Sequence, residues 1–227
     1  MKKRSKTQRG QSLTETALII PVLLLVLSGL VEFGLFLNQY LALQDSTRNA
    51  ARFAADSLYY VRDSDPVCDT TRDFFRQAAC LVSQELRQDH PLIVLSDNGT
   101  PNDPTDDILD PARGDEILIS VFTVTSGSPT RVTARFPQSE GEMGWSYAID
   151  SGHGSRNATS HFSNADIEAN IGTSIPSTGF VLVEIIYHYD HMLGLPWLTA
   201  FIPDPIELHA YSLMPNVSAE PTSTPLP

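Results

Sequence analysis

After Lys6 the sequence contains no lysine at all. Five of its fifteen lysines and arginines, Lys2, Lys3, Arg4, Lys6 and Arg9, crowd into the first ten positions, where there is no acid. Beyond them, ten arginines stand against 27 carboxylates and leave −17. A surface so poor in cations excludes nucleic acid as a partner, because phosphates demand lysine and arginine. Cysteine is nearly missing too: Cys68 and Cys80 are the only two. That leaves one bridge, of the kind exported proteins form, or two free buried thiols. Also lacking are a nucleophile elbow, a P-loop, HExxH and CxxC, so no motif demands an enzyme.

What the chain does have is one long stretch without charge, Thr16 to Val31, with apolar character continuing past Glu32 to Leu37. About 22 residues rising ~1.5 Å each span about 33 Å, enough to cross a hydrocarbon core of about 30 Å. A secretory signal's apolar region is shorter and ends in a small-x-small site. The nearest alanines, Ala50, Ala51, Ala54 and Ala55, lie too far downstream. The stretch therefore reads as a membrane anchor. Its basic tip keeps residues 1–10 cytoplasmic and sends the acidic remainder outside. Pro21 is tolerable in a membrane helix and predicts a kink. Gly29 and Gly34 are five apart and make no GxxxG dimer face. Glu32, near the outer interface, is expected to reach water. Glu15 sits about one turn inside the apolar segment, where carboxylates are costly and tend to be functional.

The string "RGQSLTE" before an apolar helix resembles the type-IV prepilin processing motif, in which a peptidase cuts after a glycine. Cleavage after Gly10 would make Gln11 the new N-terminus and Glu15 the fifth residue. More fully, "RGQSLTETALIIPVLLLVLSGLVEFGLFLNQYLALQDSTRNAARFAA" resembles the TadE-like family, pseudopilins of the Tad (tight adherence) pilus. A weaker likeness returns at "VLVEIIYHYDHMLGLPWLTAFIPDPIELHAYSLMPN", while residues 66–178 carry none. The resemblance implies a structural component of pilus assembly rather than an enzyme. Its implied partners are membrane lipid, other pilins or pseudopilins, the assembly platform and, with cleavage, a prepilin peptidase. It also implies that Glu15 meets the amine of a neighbouring subunit's Gln11, since a buried charge is tolerable only when paired.

The expected fold class is α+β and pilin-like. A cytoplasmic leader, 1–10, precedes a transmembrane and extended helix, 11–60, with its membrane span at about 16–37. An exported domain, 61–215, holds a second helix and a small antiparallel sheet, and a disordered Pro/Thr-rich tail follows, 216–227. The helix should run unbroken from about 13 to 60, showing Leu43, Ala50, Ala54 and Leu58 on one face. A second helix is expected from about Thr70 to Gln88, with Phe74, Ala78, Leu81, Val82 and Leu86 inward. "LIVLS", Glu116–Ser126, Thr130–Pro137, Gly179–His191 and "IELHAYSLM" read as strands. In the last, Ile206, Leu208, Ala210 and Ser212 share a face. Residues 138–178 read as a surface excursion with one short helix capped by Ser163. "GLPWLTAFIPDP" reads as an apolar turn on the membrane-proximal end.

Candidate chemistry is sparse. In the loop 97–107, Asp97, Asn98, Asp103, Asp106 and Asp107 are the oxygen donors calcium takes, but two prolines interrupt them and the spacing fits no EF-hand. A solvated loop is the simpler expectation. His188 and His191 are three apart and on a strand would face opposite ways, leaving His209 to reach one of them across strands. Asp150, His153 and Ser155 share one loop, which seldom aims a catalytic triad. No cofactor and no metal are expected. Three readings follow: a pseudopilin, a membrane-anchored exported binding domain unrelated to pili, and an anchored enzyme.

Overall fold

A computed structural model describes residues 8–56, 74–89, 109–127, 130–152, 154–171 and 176–219, with the backbone alone for 8–12, 84 and 87–89. The leader 1–7, Cys68, "LIVLS", the acidic loop 97–107, His153 and the end of the tail lie outside the described residues. The chain falls into two compact units. The first comprises residues 1–38 and 189–206, and the second 39–188 and 207–227.

The first unit is an apolar helix with a loop. The helix belongs to α1 (Gln8–Ala55), which carries Pro21 inside it. From Leu13 to Val31 its large side chains are exposed, among them Leu18, Leu24 and Leu30. A core helix of a soluble protein buries these residues, whereas one in lipid has no need to. The loop leaves β4 (Thr178–Tyr189), turns through Gly194 in the left-handed region (φ 52°), and forms the short helix α5 (Pro196–Thr199).

The second unit is built on β1 (Glu116–Thr125), ten residues of mostly β-branched and apolar character. It pairs antiparallel with β2 (Arg131–Phe136), with β3 (Trp145–Ser146) and with β4. The strand order is β2-β1-β4-β5, where β5 is Ile206–Pro215. The α+β class and the antiparallel sheet agree with the sequence expectation, as do the β1–β2 hairpin and the buried row Leu208, Ala210 and Ser212. The expected strand Gly179–His191 stops at Tyr189, so His191 lies in the loop.

Register assigns the two faces of the sheet. Leu118 opposes Glu184 and Phe122 opposes Phe180, so Glu116, Leu118, Ser120 and Phe122 share one face with Leu182, Glu184 and Ile186. Ile117, Ile119 and Val121 occupy the other face, and Trp145, opposite Ile119, stacks on Phe75 of α2 (Phe74–Asp89) at 6.0 Å. Helix α2 buries Phe74, Ala78, Val82 and Leu86 as expected, and Phe75 and Ala79 besides. Arg76 of α2 grips Asp150 with two hydrogen bonds of 2.7 and 2.8 Å. Asp150 ends α3 (Tyr147–Asp150), so it is committed to holding α2.

Residues 138–171 do more than run over the surface. They cover the Glu116 face, burying Ser146, Ala148 and Ile167 there, and send Trp145 to the opposite face. Ile167 lies on α4 (Asn164–Ile171) in one cluster with Phe122, Val124 and Leu182. Ser163 caps that helix by accepting from Asp166 N at 3.2 Å, while Asp166 accepts from Ser163 N at 2.9 Å.

The segment expected to be tail begins as core. Asn216 is fully buried, and its Nδ2 donates to the carbonyl of Ala54 at the end of α1 (2.7 Å). This satisfies one of the orphan carbonyls a helix leaves at its C-terminus. Asn216 N donates to Gly179 O at 2.8 Å, and a Cβ on Gly179 would lie 2.2 Å from Asn216 O. Only glycine fits there.

Candidate functional site

The unusual residue of the first unit is Glu32. It stands in an apolar helix, yet it is 3% exposed and does not reach for water. Gly29, Glu32, Phe33 and Phe36 fall at helical spacing on one side of α1. The loop after β4 docks on that side. Tyr189 Oη donates to Glu32 Oε1 at 2.7 Å, Met192 N to Oε1 at 2.9 Å and Leu193 N to Oε2 at 2.9 Å. Phe36 packs edge-on to the Tyr189 ring at 5.5 Å. The Trp197 ring covers Gly29, where a Cβ would come within 3.1 Å of it. The expected snorkelling carboxylate is therefore an internal acceptor. The physical reason is the loop, whose converging main-chain N–H groups replace the water a lone carboxylate would seek.

His191 completes the arrangement. Its Nε2 lies 3.2 Å from Pro203 O, which can only accept, so Nε2 carries a proton. Its Nδ1 faces Glu32 Oε1 at 3.4 Å, an ion pair whenever the ring is protonated. The main-chain N–H of His191 donates to Asp204 Oδ1 at 3.2 Å. Chemically the cluster is a clamp: one carboxylate holds the Tyr189 hydroxyl and two main-chain N–H groups of the loop.

The second unit repeats the device on its sheet. Glu116, fully buried, accepts from Ser146 Oγ (2.9 Å), Ala148 N (3.0 Å) and Asn157 N (3.1 Å). Glu184, also fully buried, accepts from Ser160 Oγ (2.5 Å), His161 N (3.0 Å) and His209 Nε2 (3.1 Å). With Nε2–H given to Glu184, a neutral His209 can accept at Nδ1 from His161 Nδ1, 3.2 Å away. Asp115 accepts from His188 N at 2.8 Å, and burial pushes its carboxyl up to about 6 against the pull of His188.

The residues singled out from sequence thus scatter. Gly10 and Gln11 lie on α1, Glu15 is exposed on it, and Cys80 is half-buried on α2, with Cys68 outside the described residues. His188 is tied to Asp115, His191 to the Glu32 clamp and His209 to Glu184 and His161. Ser155 is exposed, and its suggested partner Asp150 is occupied by Arg76. Among the described residues no three His, Cys, Asp or Glu side chains come together as metal ligands. Sequence reasoning missed Glu116, Glu184 and His161. A carboxylate inside a strong strand pattern was the available signal, since such a residue must find donors.

The helix that carries Glu15 and Glu32 is the one element among the described residues long and apolar enough to cross a membrane. No curated protein and no solved structure matches the chain. Residues 10–52 match the family model of the TadE-like proteins, a structural pilus family rather than an enzyme family, and so give the chain a TadE-like N-terminal segment.

Proposed function

We propose that the chain is a pseudopilin acting in assembly of Tad-type pili, anchored by α1 with its N-terminus cytoplasmic and its sheet domain outside. One observation carries this reading. The family match begins at Gly10, the glycine after which a prepilin peptidase would cut, and takes in Glu15 and the exposed apolar helix. Cleavage there leaves Gln11 as the N-terminal amine and Glu15 five residues into the mature chain. In lipid, the amine and the carboxylate can satisfy each other between subunits packed side by side, which makes helix association the mechanical act. The partners are then other pilins or pseudopilins and the assembly platform. A Cys68–Cys80 bridge would fasten α2 to the segment before it, and an unchanged mass after alkylation without reductant would support it.

Intact mass with N-terminal sequencing of protein from native membranes tests the reading. A chain that starts at Gln11 supports it; one that starts at Met1 removes the processing step. Glu15→Ala should leave membrane insertion intact and weaken co-purification with other pilins and the platform. Unchanged co-purification would count against the assembly role.

A further inference from the structure

The loop of the first unit has a composition that water does not explain. From Met192 to Pro203 it contains no charged residue. It exposes Phe201 almost entirely (87%) and Met192, Leu193 and Ile202 substantially. Yet it does not float free of α1, because Glu32 and Gly29 seat it on the apolar helix.

The position of that seat fixes a depth. From Leu13 to Leu30 the helix rises about 27 Å at ~1.5 Å per residue, close to the about 30 Å of a hydrocarbon core. If this stretch spans the bilayer, the loop lies where the hydrocarbon ends, and the span is 13–30 rather than 16–37. A loop can sit there only if its backbone polar groups are satisfied internally. Those of this loop largely are. Met192 N and Leu193 N go to Glu32, Gly194 N to His191 O, Leu198 N and Thr199 N to Leu195 O, and Phe201 N and Ile202 N to Leu198 O. Pro196 and Pro203 have no N–H to satisfy. Even the Thr199 hydroxyl turns back onto Leu195 O, at 3.5 Å.

We propose that residues 192–202 form a second membrane contact, a wedge resting in the outer-leaflet interface, with Phe201, Met192, Leu193 and Ile202 covered by lipid and Glu32 as the clamp that holds it at that depth. The proposal rests on the reading of α1 as a membrane anchor. Absence of charge, internally satisfied backbone and continuity with the exposed apolar helix all point to lipid. Trp197 is an amphipathic ring of the kind found at that level.

The test uses the unaltered full chain in vesicles of phosphatidylethanolamine and phosphatidylglycerol that include a phospholipid bearing a diazirine near the carbonyl end of its acyl chain. After photolysis, adducts are mapped by peptide mass spectrometry. Lipid adducts on both 13–31 and 192–202 are expected. Adducts on 13–31 alone would overturn the wedge and leave the anchor standing. Lipid labelling of 192–202 that is lost as the protein-to-lipid ratio is raised, while labelling of 13–31 persists, would overturn lipid as the occupant in favour of a second copy. Adducts on neither segment would overturn the anchor and the wedge together.

Discussion

The two units bury carboxylates in the same manner and differ in what they show outside. Glu32 in one, and Glu116 and Glu184 in the other, each take three donors from residues far along the chain. Yet most of the large exposed apolar side chains belong to the first unit, along Leu13–Leu37 and Met192–Ile202. Helix α1 shows the contrast within one element: leucine, isoleucine and valine stand exposed before Val31, while Ala42, Ser46, Thr47, Ala50, Ala51 and Ala54 are buried after it. A residue's hydrophobicity alone does not say which side of it faces protein. Large apolar side chains turned outward are what a membrane-crossing helix needs, and small ones turned inward mark close packing.

Substitutions can break that contrast. Glu184→Ala should have the largest effect. It orphans Ser160 Oγ, His161 N and His209 Nε2 at a fully buried site, and a loss of about 3–5 kcal/mol is expected for removing one side of such a network. Chemical denaturation of the second unit measures it. Glu32→Ala should release the loop of the first unit, at a cost of about 2–3 kcal/mol from the freed N–H groups. Hydrogen exchange should quicken at Met192 and Leu193 and stay unchanged at Glu116–Thr125. If both regions quicken together, the units do not behave separately.

Asp115 sharpens the comparison through pH. Its folded carboxyl titrates at about 6, above an unfolded aspartate. The folded state therefore holds the extra proton, and stability of the second unit should rise as pH falls from about 6 toward 4, by about 2 kcal/mol. Asp115→Asn should flatten this dependence in urea titrations across that range. Two further substitutions compare the ends of α1. Ala51→Leu should cost about 1–3 kcal/mol by overpacking a filled site. Leu24→Ala, on the exposed stretch, should change denaturation of the second unit by less than about 0.5 kcal/mol.

The legibility of each element followed the range of its interactions. The β1–β2 hairpin was readable because alternation and the turn are local. So were the inner face of α2 and the Ser163 cap. Strand β4 showed in its β-branched residues, and β5 in the alternation that puts Ile206, Leu208, Ala210 and Ser212 on one face. Strand β3, two residues long, carries no period to detect. The cover formed by residues 138–171 reads as polar, but Ser146 and Ser160 serve buried carboxylates and Asn157 two main-chain carbonyls instead of water. Glu32 was legible as an anomaly but not as a clamp, since its three donors lie 157, 160 and 161 residues away. Asn216 was hidden in the same way, its acceptor Ala54 O being 162 residues distant.

Those separations also set an order in time. The apolar stretch is synthesised early, with Glu32 already inside it. The groups that satisfy this carboxylate are not made until residue 193, when most of the chain has left the ribosome. Until then the anchor holds a carboxylate with no Tyr189, Met192 or Leu193 to receive. The clamp therefore closes late, and a chain cut short before residue 189 can never close it. In that sense Glu32 registers completion, because the anchor reaches its final state only in a molecule whose far end has arrived.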